Sequence, residues 1–265
     1  MVRARLVMPF VVLAVVALLT SLISAILGMG GGILLLAAMF CFMPHADAIP
    51  THAAVQIASN GTRVLAFLKN VDRSAFGRFV LGVVPGSGVG MLLLWLLGEP
   101  DRSEPYLKTL IGACILVLTF LPNKRPAGNG SPRPTGTKWW DFPALGLVAG
   151  TAALTVGAVG PLIAPMFARR DFIKERLIAT KAVCQLVTHI LKIPAFLLIR
   201  NVDVPHLSGL ALVMICMVVP GTIVGKRLLA GVSERHFVLA YRVALTVAGI
   251  KVLILDGVRN LPLWQ

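Results

Sequence analysis

Four polar side chains, His52, Gln56, Ser59 and Arg63, recur at steps of four, three and four in a stretch that is otherwise apolar. A helix stacks that spacing on one side, and a polar stripe inside an apolar helix must face something polar. Asn60 adjoins the stripe. A second stripe, Lys181, Gln185, Thr188 and Lys192, repeats the spacing, and His189 sits beside it. Cations of this kind attract an anion, neighbouring amides and hydroxyls can donate to its oxygens, and a histidine can take up a proton that travels with it. The matching acids are missing: Asp47, Asp72, Asp171 and Asp203 all read as connections.

Glycines precede both stripes. Gly28, Gly30, Gly31 and Gly32 interrupt one apolar run, and Gly157 and Gly160 interrupt another. Each glycine costs a helix about 1 kcal/mol, so the first cluster predicts a break. A broken helix exposes backbone N–H groups, and the start of its second half favours anions. The pairs Gly86/Gly90 and Gly221/Gly225 are GxxxG spacings, for which close helix packing is the competing explanation.

The two regions are in register. Laying Gly28 on Gly157 brings Gly31 onto Gly160, Thr51 onto Thr180, Gln56 onto Gln185, Ser59 onto Thr188, Asn60 onto His189 and Arg63 onto Lys192. Asn70-Val71-Asp72 then echoes Asn201-Val202-Asp203, and Val83-Val84-Pro85-Gly86-Ser87 echoes Val218-Val219-Pro220-Gly221-Thr222. Such self-similarity is the mark of two copies of one unit. The expected division is 1–122 as the first copy, 123–140 as a basic Pro/Gly/Ser-rich linker, and 141–265 as the second.

Composition says where these copies sit. The chain is 57% hydrophobic and 14% charged, with mean hydropathy +0.86; a soluble domain carries about 25% charged residues. Long unbroken apolar runs predict spanning helices of about 20 residues rather than barrel strands. The expected fold is an all-α integral membrane protein of about eight transmembrane helices, as two four-helix repeats with helices broken at the glycine motifs. Spans are expected near 9–43 with a break, 50–69, 76–97, 106–121, 142–167, 172–199, 206–229 and 237–255. Pro85 predicts a kink or opening, Glu99 to Pro105 an acidic turn, and Trp139 and Trp140 interface anchors.

An even number of spans per copy predicts the parallel kind of repeat. The net charge of +14 reads as basic loops on the inner side, not as nucleic-acid binding. The amino end, the Lys69 to Arg78 connection and the linker would then all be cytoplasmic, with both termini inside and the chain in the cytoplasmic (inner) membrane. Arg169, Arg170, Lys174 and Arg176 conflict with that count unless a glycine break is a re-entrant hairpin or the linker's stronger signal holds them outside. The first span reads as an uncleaved anchor. Cys41, Cys114, Cys184 and Cys216 lack CxxC spacing, so neither a disulfide framework nor a metal site is expected, and no cofactor.

Each chemical reading has a structural competitor. Arg63 could snorkel to headgroups, the histidines could bond backbone carbonyls, and the glutamines and hydroxyls could tie helices together. In the chemical reading, Lys181, Lys192 and Arg63 hold the anion with Gln56, Gln185, Ser59, Thr188, Asn60, His52 and His189. Cations inside a span cost about 2.5 to 3.5 kcal/mol each, so they call for a partner.

The glycine run G-x-G-G-G at Gly28 to Gly32, the helix opening from Ala48 to Ser59, and their weaker echo from Gly157 to Thr188 resemble the sulfite exporter TauE/SafE family. The resemblance implies an eight-helix transporter of sulfur-containing anions such as sulfite, sulfoacetate and other sulfonates. Residues and resemblance together predict a secondary transporter of a small sulfur oxyanion, with one copy rocking against the other and a proton or other ion as a possible companion. No G-x-x-x-x-G-K-[ST] motif is present to suggest nucleotide-driven transport. The alternatives are a passive anion channel lined by the same residues, and an intramembrane hydrolase using Ser87 with His52 or His189.

Overall fold

The computed structural model describes residues 2–27, 31–98, 100–120, 138–157, 159–160, 163, 174–199, 204–228, 243, 246–247 and 249–261. Among them every regular element is helical. In chain order these are α1 (Val2–Leu27), α2 (Gly31–Met39), α3 (His45–Ala66), a 3-10 turn (Leu68–Asn70), α4 (Arg73–Leu96), α5 (Pro100–Phe120), α6 (Asp141–Thr155), α7 (Lys174–Ile199) and α8 (Val204–Leu228). A π-helical segment (Lys251–Gly257) and a 3-10 turn (Val258–Asn260) follow. The linker at 121–137 lies outside the described residues.

Several boundaries move. Pro44, extended at φ −60°, ψ 158°, starts α3 ahead of Pro50, so Pro50 sits inside the helix. The acidic segment forms no separate turn: from Pro100 onward it is the opening of α5. α4 continues as one helix past Pro85, and α8 past Pro220, because flanking residues keep the ladder on either side of the missing N–H. α6 stops at Thr155, just before Gly157, whose φ of +82° suits glycine.

Polarity is distributed inside out. Leu81, Leu92, Trp95, Leu198 and Leu212 are exposed, whereas Thr20, Ser24, Asn60, Thr180 and Thr188 are buried. In water that arrangement would be costly; in lipid it is what helices require. Two described helical segments, Arg73–Leu96 and Ile178–Leu198, are long and apolar enough to cross a membrane on their own. Shorter apolar stretches occur at Phe10–Ala25, Pro105–Val117, Asp141–Thr155 and Gly209–Gly225.

Two glycine-sealed seams frame the bundle. α4 packs on α6, where a Cβ at Gly82 would strike the Pro143 carbonyl and one at Gly86 the Leu147 carbonyl. Gly146 and Gly150 return the contact against Phe79 and Val83, and Thr151 Oγ1 donates to the Gly86 carbonyl at 3.0 Å. α1 packs on α8, with Gly221 against Ser21 and Gly225 against Leu22. Close packing therefore accounts for both GxxxG pairs.

Direction is the informative part. Numbers rise together across each seam, so α4 runs parallel to α6 and α1 to α8. Between the seams, α3 lies against α7 with Asp72 beside Arg176 and Thr180, and His52 beside His189, so these two run antiparallel. α5 meets the π-helical segment antiparallel as well, with Gly112 at Leu253 and Gly257 at Thr109. A parallel relation between the copies would align α3 with α7, and the structure opposes them. The start of α1 and the Lys69 connection consequently lie at opposite ends of the bundle, so the shared sidedness expected of them does not hold.

Candidate functional site

α3 and α7 bring the two stripes face to face. Arg63, Lys181 and Lys192 are 6%, 1% and 0% exposed, so none reaches headgroups. Arg63 folds back on its own helix, donating from Nη2 to Ser59 Oγ at 2.6 Å and from Nε to the Ser59 carbonyl at 3.3 Å. Lys192 reaches off its own helix instead: its Nζ donates to the carbonyl of Gly157, just past α6, at 2.6 Å. The residues that meet these two charges are thus neutral. Along α3 and α7 the sequence places carboxylates only in the first turns, Asp47 and Glu175.

The first break has its own link to the stripe. His52 Nε2 lies 2.8 Å from the Gly32 carbonyl, which can only accept, so Nε2 carries the hydrogen. Gly32 is also where a Cβ would press on the Gln56 amide, at 3.1 Å from Nε2. Gly160 bears the same relation to Gln185, at 2.9 Å. Gly31 turns the other way, against Thr20 and Ser24 of α1, and serves packing. Gly28 and Gly30 lie outside the described residues.

At the centre, the His52 and His189 rings meet edge to face with centroids 5.5 Å apart and planes at 72°. Asn60 Nδ2 donates to the Gln56 carbonyl at 3.0 Å, with Gln56 Oε1 at 3.5 Å. Thr188 Oγ1 donates to the Gln185 carbonyl at 2.7 Å, so its proton is held by its own helix. Among the described residues, five buried side-chain atoms have no hydrogen-bond partner: Thr51 Oγ1, His52 Nδ1, Asn60 Oδ1, Gln185 Oε1 and His189 Nδ1. All belong to α3 or α7. Buried polar atoms are nearly always satisfied, and each that is not costs about 1 to 3 kcal/mol. Their concentration on these two helices makes the α3/α7 centre the candidate site.

In the sequence, Thr51 stands out only as the counterpart of Thr180. Thr180 proves to hold the Asp72 backbone N–H at 2.9 Å across the α3/α7 ends. Nearby, Lys69, Asn70, Val71, Asp72, Arg73 and Arg176 line an open recess of about 520 Å³. Arg176 pairs with Asp72 at 2.6 Å, and Asp72 Oδ1 caps α4 by accepting from Ala75 N at 3.0 Å. Burial pushes the Asp72 carboxyl up, but the Ala75 N–H and Arg176 outweigh it and hold the group below the usual carboxylate range.

The hydrolase constellation does not assemble among these residues. Ser87 Oγ donates to the Val83 carbonyl at 2.8 Å and Thr222 Oγ1 to Val218 at 2.9 Å, each within its own helix. No group of three His, Cys, Asp or Glu among the described residues is placed to hold a metal. The four cysteines are free.

Comparison with known proteins supplies the family. No curated protein and no solved structure matches the chain. Residues 13–252 match the family described as sulfite exporter TauE/SafE, a span that takes in both seams and both stripes, and the chain belongs to that family of membrane transport proteins.

Proposed function

We propose that the protein is a secondary transporter of a small sulfur-containing oxyanion of the sulfite or sulfonate class, bound between α3 and α7. The observation that carries this reading is the pair Arg63 and Lys192: two buried cations on facing helices, met by a hydroxyl and backbone carbonyls. An anion is the partner that would offset them. The unpartnered atoms beside them and the two glycine breaks suit a ligand with several oxygens.

The opposed helix directions support two copies of inverted topology, about eight spans in all, with the site at their interface near mid-membrane. Lys69, Arg73, Arg78 and Arg176 gather at one end of the bundle; the positive-inside rule makes that end cytoplasmic in an inner membrane, and the amino end external. The recess lined by Lys69, Arg73 and Arg176 would then draw anions toward the site from within. A transporter is favoured over an enzyme because neither central hydroxyl is coupled to a histidine.

Proteoliposomes preloaded with labelled sulfite test the proposal. Saturable flux with counterflow by unlabelled sulfite is expected. Flux linear in concentration would indicate a pore, and no flux of sulfite or any sulfonate would end the reading. In the same vesicles, a cysteine replacing Arg73 should react with an impermeant maleimide from the cytoplasmic side alone.

A further inference from the structure

His52 is set in a way that anion binding by itself does not need. Its Nε2–H is fixed on the Gly32 carbonyl of α2, which leaves Nδ1 as a bare lone pair. That lone pair is buried, with His52 1% exposed, and has no donor. His189, 2% exposed, has an equally unpartnered Nδ1, and its ring lies 5.5 Å away. A neutral imidazole so placed has an acceptor with nothing to accept from. Once protonated, the same atom becomes a donor aimed at whatever occupies the locus.

The charges around the pair decide when that happens. α7 presents Lys192 and His189, and α3 itself adds Arg63 further along, next to Lys181 of α7. α2 carries no titratable residue between Gly31 and Met39. α8 offers only Cys216 among its described side chains, and that is exposed. Among its described side chains α5 contributes Tyr106 and Lys108, both in its amino-terminal part, and half-buried Cys114. Buried Cys184 faces the α4/α6 cluster. The pair is therefore ringed by cations, and a further positive charge is tolerated only with an anion present.

We infer that His52 Nδ1 is a proton-binding site filled together with the anion, so that the transporter moves one proton with each anion. This rests on the anion reading above. In the step, a hydronium ion from the bulk gives its proton to the Nδ1 lone pair and is left as water, and the new N–H donates to an anion oxygen. One O–H bond breaks, one N–H bond forms, and no other covalent bond changes. Release reverses both, and by linkage the proton and the anion strengthen each other's binding by the same factor.

Calorimetric titration of the purified protein with sulfate and methanesulfonate tests this, because neither probe changes its own charge across the histidine range of about pH 5 to 8. Repeating it in buffers of different ionisation heat counts protons. Uptake of about one proton per anion is expected, with affinity falling about tenfold per pH unit on the alkaline side. His52→Asn and His52→Gln, verified as folded by gel filtration and melting, should lose the uptake and flatten the pH profile. Binding without uptake, or uptake surviving in both variants, overturns the inference and leaves the anion site standing. If only sulfite binds, the inference requires greater proton uptake by wild type than by the two variants, and equal uptake overturns it. Failure of sulfite, sulfate and methanesulfonate to bind at any pH would remove the anion site itself, and the inference with it.

Discussion

The α4/α6 seam and the α3/α7 centre use the same residue type for opposite ends. In the seam, glycine lets backbones touch: a Cβ at Gly82 or Gly146 would meet a carbonyl that cannot move. In the centre, glycine makes room for an amide: Gly32 and Gly160 face Gln56 and Gln185, whose ends can swing. The seam is apolar and closed, with Phe79 and Phe142 fully buried and Arg78 stacked at 5.2 Å over the Phe142 ring. The centre is charged and holds five unpartnered atoms. Close packing and unpartnered polarity fall on different pairs of helices.

The largest effect expected from breaking this contrast is at Gly82. Gly82→Leu forces α4 off α6 and should destabilise the fold by about 3 kcal/mol or more, seen as loss of a monodisperse peak in detergent. Gly32→Ala needs only a small shift of the Gln56 amide, so folded yield should hold while sulfite affinity drops. If Gly82→Leu is tolerated, or Gly32→Ala unfolds the protein, the two kinds of glycine are not distinct.

Next in size is the difference between the two cations. Removing either charge should weaken sulfite binding by about tenfold to a hundredfold, the scale of a charge-assisted contact at about 1.5 to 3 kcal/mol. Lys192→Ala also frees the Gly157 carbonyl, so it should lower the melting temperature more than Arg63→Ala, whose partner Ser59 lies on the same helix. Equal binding in wild type and both variants would return the stripes to a packing role.

The smallest effect belongs to Asp72, where the centre meets the recess. Its folded carboxyl titrates below its unfolded value, so its contribution is fully present above about pH 4 and lost as pH falls through the folded pKa. Asp72→Asn should cost about 1 kcal/mol at neutral pH through the weakened cap. The gap in melting temperature between variant and wild type should shrink on acidification to about pH 3. A gap that stays constant with pH would mean the carboxylate is not what caps α4.

The sequence disclosed what depends on local spacing. Steps of four, three and four place Arg63 with Ser59, and Lys192 with Gln185 and Thr188, on single helix faces; the structure finds Arg63, Ser59, Lys192 and Thr188 buried and Gln185 half-buried. The helical class followed from unbroken apolar runs. Direction did not, because counting spans treats the α1/α2 break as one crossing and cannot see which way α2 turns. Nor could spacing pair His52 with His189, or Lys192 with Gly157, since those contacts exist only after the helices are opposed. The role of Thr180 was hidden for the same reason: its partner, Asp72, is more than a hundred residues away.

Both seams stitch early chain to late chain: Leu22 to Gly225 in one, Gly82 to Pro143 in the other. By contact the helices group not as the front and back portions of the polypeptide but as two staves, each made of helices borrowed from both. Were one stave to tilt against the other, the parting would run along α3 and α7 and not through the connection between the portions.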